Sequence, residues 1–148
     1  MLEKLEINLA GYRIQKRDLE ILATTLIQLK SLEDLRIRDF VITDSGFYKH
    51  FAETIHRCSA LKSLSLLHIM TDIPDRDPQN MIDMLEKILG KPNLTAFRCQ
   101  EGPSGFEAYG SCEQLKISKI YKNCPQIQYF NLPTNTYKYE LVNRWNMR

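Results

Sequence analysis

Three groups of residues carry side chains that could do chemistry. Asp72, Asp75 and Asp77 put three carboxylates within one short stretch, the hard oxygen donors that a calcium or magnesium ion takes. The stretch lacks the central glycine and closing glutamate of an EF-hand loop, and Asp77 stands directly before Pro78, where a carboxylate caps a helix. A solvated, helix-capping loop is the expectation. His50, His56 and His68 lie near Cys58, the pairing a thiol nucleophile would need. Cys58, however, occupies the same place before a strand motif as Cys124, which is a packing position. Phosphate-cradling glycine loops, H-E-x-x-H and G-x-S-x-G are absent from the sequence. No catalytic, metal or cofactor residue is therefore expected. An enzyme would have to use the irregular stretches 70–80 and 101–111. The third group is Glu6, Asp34, Arg36, Arg38, Arg98, Tyr129 and Asn131, whose meaning depends on the elements that carry them.

Those elements repeat. The pattern apolar-x-x-apolar-x-apolar occurs at Leu2-Leu5-Ile7, Leu32-Leu35-Ile37, Leu61-Leu64-Leu66, Leu94-Phe97-Cys99 and Ile127-Phe130-Leu132. Its starts at 2, 32, 61, 94 and 127 are 30, 29, 33 and 33 residues apart. The alternating final pair in each copy predicts a short strand. Between copies the apolar period becomes helical. Leu19, Leu22, Ala23 and Leu26 fall on one face of a helix from about Lys16 to Leu29. Phe47, Tyr48, Phe51, Ala52 and Ile55 continue a second helix behind the candidate caps Thr43-Asp44-Ser45. Met81, Met84, Leu85 and Ile88 follow Asp77-Pro78, and Gly90 with Pro92 ends that helix. A fourth begins near Ser111, with Gln114 as the far member of a capping box, and carries Ile117, Ile120, Tyr121 and Cys124.

Strand, helix and strand in succession favour parallel pairing through right-handed crossovers. A unit of about thirty residues that touches only its neighbours is a solenoid, with strands inside and helices outside. The even period, the identical strand motif and the lack of a glycine-rich turn after the first strand favour this α/β solenoid over a doubly wound sheet. The residues between the apolar positions then form columns on the concave face. Glu6, Arg36, Ser65, Arg98 and Asn131 make one column, and Lys4, Asp34, Ser63, Ala96 and Tyr129 the one before it. Asn8, Arg38, Leu67, Gln100 and Pro133 follow. Strands about 4.8 Å apart would let Glu6 pair with Arg36. Arg36, Arg38 and Arg98 could form a modest basic patch, and arginine and tyrosine are frequent interface anchors. The alternative is a solvated face of self-neutralising pairs.

These repeats resemble leucine-rich repeats of the ribonuclease-inhibitor and cysteine-containing types. The best match is Leu32-x-x-Leu35-x-Ile37-x-x-Phe40-x-Ile42-Thr43-Asp44-Ser45-Gly46-Phe47, with Phe40 where the family has Asn or Cys. The family's C-P-x-L junction is similar to Cys124-Pro125-Gln126-Ile127, with weaker forms at Cys58-Ser59-Ala60-Leu61 and Lys91-Pro92-Asn93-Leu94. The resemblance covers the chain to about Pro133. It implies about five repeats in a single domain over 1–148 and a non-catalytic protein-interaction module. The stretch Ile120 to Phe130 resembles repeats of fungal F-box proteins, which implies a substrate-recognition part of a ubiquitin-ligase receptor. A free-standing scaffold or inhibitor is the alternative. No F-box precedes the repeats in this sequence, and Leu2, Leu5 and Ile7 expect a cover, from a longer chain or from end-to-end self-association. Tyr129, Phe130, Tyr137, Tyr139 and Trp145 would cover the other end or anchor a partner.

The 148 residues are 43% apolar and 26% charged, the composition of an ordinary globular domain. A net charge of +2 is too balanced to point to nucleic acid or an anionic membrane. Met1-Leu2-Glu3-Lys4-Leu5-Glu6 has acids where an export signal needs an apolar core. Cys58, Cys99, Cys112 and Cys124 include no C-x-x-C pair. Buried, reduced thiols in the cytoplasm or nucleus are expected.

Overall fold

The computed structural model describes residues 1–73, 77–101 and 111–131. Strands β1 (Lys4–Ile14), β2 (Asp34–Ile42), β3 (Ser63–Thr71), β4 (Ala96–Glu101) and β5 (Tyr129–Asn131) alternate with helices. The helices are α1 (Lys16–Gln28), α2 (Gly46–Arg57), α3 (Pro78–Leu89) and α4 (Ser111–Lys122). All five strands are parallel, and their order in the sheet is their order in the chain. Each repeat therefore contacts only the one before and the one after, as a solenoid requires.

One backbone device recurs in four repeats. The amides of Leu32, Leu61, Leu94 and Ile127 donate to the carbonyls three residues back, which turns the chain into the next strand. The carbonyl just before a strand then accepts two amides from the following repeat. Glu3 O accepts from Glu33 and Asp34, Glu33 O from Lys62 and Ser63, Lys62 O from Thr95 and Ala96, and Thr95 O from Gln128 and Tyr129. These bonds lock successive repeats in register with no side-chain requirement, so the residues there are free to vary.

Strands β1, β2 and β3, of 11, 9 and 9 residues, are longer than the six-residue motif predicts. In β2 and β3 a single residue, Asp39 (φ 59°) or His68 (φ 54°), takes a left-handed conformation and the ladder resumes beyond it. That residue breaks the alternation, so Phe40 and Ile69 return to the interior three residues after Ile37 and Leu66. In β1 three residues, Leu9 to Gly11, stand opposite Asp39, with Ala10 and Gly11 left-handed. Gly11 has open space around its missing Cβ, so its glycine serves the backbone angle (φ 79°) rather than close packing.

Between sheet and helices runs a continuous core. Leu35, Ile37, Leu64, Leu66, Phe97 and Cys99 point into it from the strands, and Phe51, Ile55, Leu85 and Ile88 from the helices, all at most 1% exposed. Phe130 stacks on Tyr121 at 4.8 Å between ring centroids and on Phe97 at 6.0 Å. The helix caps fall close to their expected places. Asp77 Oδ1 accepts from the Gln79 amide at 2.9 Å. Before α2 the work is done by Asp44, whose Oδ1 accepts from the Gly46 amide at 2.8 Å, while Ser45 is already helical and makes no cap bond. Thr43 instead ties two repeats together by donating to Ile14 O at 2.7 Å. The side chains of Ser111 and Gln114, the expected capping box of α4, lie outside the described residues, as do Asp75, Pro133, Tyr137, Tyr139 and Trp145.

Candidate binding face

Parallel in-register pairing turns equal spacing in the sequence into neighbouring positions in space. Glu6 pairs in register with Arg36, Arg36 with Ser65, Ser65 with Arg98 and Arg98 with Asn131. Lys4, Asp34, Ser63, Ala96 and Tyr129 form the adjacent column, and Asn8, Arg38, Leu67 and Gln100 the third. Six of the sequence-derived site residues, Glu6, Asp34, Arg36, Arg38, Arg98 and Tyr129, thus occupy one strand face, and Asn131 takes its register position beside Arg98. The side chains of Gln100 and Asn131 lie outside the described residues. The sequence places Ser63 and Ser65 in these columns but gives them no binding role, since they carry no charge to draw notice.

The charge pairing differs from the expected one. Glu6 does not pair with Arg36 opposite it but reaches diagonally to Arg38, whose Nη1 lies 3.5 Å from Glu6 Oε1. Arg38 Nε also lies 3.4 Å from Asp39 Oδ2, an ion pair without an aligned hydrogen bond. Arg36 Nη2 pairs at 3.4 Å with Asp34 Oδ2, two residues back on its own strand. Same-face neighbours along a strand and diagonal neighbours across it are both within reach of a long arginine. Such exposed pairs contribute under about 1 kcal/mol each. The three arginines consequently do not make a uniform basic patch, because two of them have carboxylates beside them. Arg98 alone of the three has no hydrogen bond or ion pair among the described residues, and its Nε is buried without a partner. A groove of about 250 Å³ opens there, lined by Arg36, Ser63, Ser65, Leu67, Arg98 and Tyr129 among others.

The residues first considered for catalysis are dispersed. Asp72 Oδ2 lies 2.7 Å from Arg13 Nη2, and Asp77 caps α3. His56 Nε2 sits 2.8 Å from Lys87 O, and His68 is the exposed left-handed residue of β3. Cys58 is buried and its thiol donates to Thr54 O at 3.3 Å. Burial pushes this thiol above its ordinary pKa, against the opposing pull of Lys91, Lys30 and Arg57. It is the reverse of an activated nucleophile. Burial likewise pushes Lys91 below its ordinary value, and Cys58 partly offsets that. Among the described residues no three of His, Cys, Asp and Glu converge into a metal-ligating group.

Comparison with known proteins agrees with this geometry. No family model matches the chain, and no curated protein matches it. Among solved structures it is similar to the tropomodulin C-terminal domain of Caenorhabditis elegans, with a TM-score of 0.70 at 13% identity. The match covers 98% of this chain and 83% of that one. The fold is a leucine-rich-repeat solenoid. At this identity the likeness extends to the fold alone.

A second feature lies at the β1 edge of the described sheet. A groove of about 250 Å³ is lined by Ile7, Leu9, Tyr12, Ile14, Ile21 and Leu22 among others. Leu2, Tyr12 and Ile21 are exposed beside it. The sequence points to Leu2, Leu5 and Ile7 as the open surface. In the structure Leu5 and Ile7 are half-buried, and α1 supplies the remaining apolar wall.

Proposed function

We propose that the chain is a non-catalytic protein-interaction module that binds through its strand face. The observation that supports this is the register, which gathers Glu6, Asp34, Arg36, Arg38, Arg98 and Tyr129 onto one face of the sheet that no described element covers. A backbone already fixed in strands loses little freedom on binding, which favours recognition over chemistry. The fold it shares with the tropomodulin domain is an interaction fold. A narrower form, a substrate-recognition segment of an F-box-type receptor, rests on the resemblance of Cys124-Pro125-Gln126-Ile127 and its surroundings. The buried thiol of Cys58, which donates to a backbone carbonyl, fits a reducing compartment such as the cytoplasm or nucleus. No helix among the described residues is long and apolar enough to cross a membrane.

A photo-crosslinking side chain at Lys4, exposed on the same face, tests it, with one at Lys49 on the exposed side of α2 as its control. Capture of a partner protein from position 4 and not from position 49 is the expected result. Capture from Lys49 alone would move the interface to the helices.

A further inference from the structure

We infer that the groove around Arg98 is a carboxylate-binding site, and that its occupant is an acidic protein segment with an apolar side chain next to its Asp or Glu. The inference rests on the interaction reading above and adds the chemistry of the partner.

The described carboxylates of this face, Glu6, Asp34 and Asp39, all lie on β1 and β2, and each is within 3.5 Å of Arg36 or Arg38. No described carboxylate reaches Arg98 on β4. Its Nε is nonetheless buried without a partner, an arrangement that leaves a charged donor partly dehydrated and unpaired. A ligand carboxylate would supply the missing acceptors, since a guanidinium presents parallel N–H groups that match the two oxygens.

The groove has the shape for it. Ser65 stands between Arg36 and Arg98 in the same column, so the two guanidinium-bearing residues are two strands, or roughly 10 Å, apart. Serine is short enough to leave that gap open, and its hydroxyl adds a donor at the floor. Arg36, with 54% of its side chain exposed and only a 3.4 Å contact to Asp34, is free to swing toward the same point. Leu67 and Tyr129 also line the groove, and Tyr129 is 39% exposed. They offer an apolar surface beside the charge, which selects a peptide over a simple anion. Bare phosphate would find the donors but nothing to cover Leu67 and Tyr129.

The test uses the full chain and a blocked, fluorescently labelled peptide of Glu, Leu and Gly, compared with the same peptide carrying Gln for Glu. The Glu peptide should bind about tenfold tighter, or better, and its affinity should fall as salt rises. Arg98→Gln should lose about tenfold in affinity, and Arg98→Lys should recover little of it because an ammonium lacks the fork geometry. Ser65→Glu, which plants a carboxylate at the floor, should abolish binding, while thermal unfolding of all three variants stays close to wild type. Equal binding of the Glu and Gln peptides would overturn the inference, as would full binding by Arg98→Gln and Ser65→Glu. A phosphoserine peptide that binds where the Glu peptide does not would overturn the carboxylate assignment. Crosslinking from position 4 that persists in Arg98→Gln would defeat this inference alone. Its loss in the wild-type chain would defeat the interaction reading itself.

Discussion

The first and second repeats carry the same strand motif and a comparable helix, yet they are buried very differently. Along α2 six residues are buried, Phe47, Tyr48, Phe51, Ala52, Thr54 and Ile55. Along α1 only Leu19 and Leu26 are, and Ile21 is 57% exposed. The same contrast holds in the sheet, where Leu35 and Ile37 are closed off while Leu5 and Ile7, at the equivalent motif positions, remain half-open. The difference comes from neighbours and not from residue type. Repeat two packs against repeats on both sides, whereas the described structure gives repeat one a neighbour on one side only. In a chain of nearest-neighbour contacts, a repeat at the edge forgoes one interface term in its stability.

The comparison can be broken most directly in the core. Leu64→Ala should cost about 2–5 kcal/mol in denaturant unfolding, because its site is fully enclosed. Ile7→Ala, at the same motif position as the enclosed Leu66, should cost clearly less. Equal losses at the two sites would mean that the edge is covered in solution. Smaller effects sharpen the picture. Asp77→Ala removes the cap of α3 and should cost about 1 kcal/mol, with Asp77→Asn restoring most of it. Hydrogen exchange would place that loss in α3 and leave α1 unchanged if the repeats respond locally.

The buried thiol gives a pH-dependent version of the same contrast. The folded pKa of Cys58 is raised by burial, so the unfolded chain releases this proton first as pH climbs. Its contribution is fully present below the ordinary thiol pKa of about 8.5 and is lost as pH rises through the folded value. The stability difference between wild type and Cys58→Ala should therefore shrink above that pH. Lys91, shifted downward by burial, tilts the curve the other way, and it does not cancel fully from the difference because Cys58 also raises it. Smallest of all should be the Arg13–Asp72 pair, which joins β1 to the end of β3 with both side chains more than half exposed. A double-mutant cycle should give under about 1 kcal/mol of coupling, falling with salt. A larger coupling would make this contact a real brace for the edge repeat.

Much of the candidate face was legible because a parallel sheet converts sequence spacing into spatial register. Leu32 to Ile37 and Leu61 to Leu66 share one spacing, so Arg36 had to stand beside Ser65 once both segments were strands. The pairing of the charges was not legible. Glu6 and Arg36 are register partners, but Arg38 is long enough to take Glu6 diagonally and Asp34 is nearer to Arg36. Nor did any glycine mark Asp39 or His68 as the left-handed residues that lengthen β2 and β3.

Repeat number, element order, strand register and the inward-facing residues are local or periodic properties, and the amino-acid sequence determines them through apolar spacing and caps such as Asp77-Pro78. Which arginine is left unpaired, how far each repeat is buried and where the grooves open depend on side-chain reach and on what packs alongside. Only the folded chain decides those, because the distances between side chains on neighbouring strands exist only once the strands are stacked.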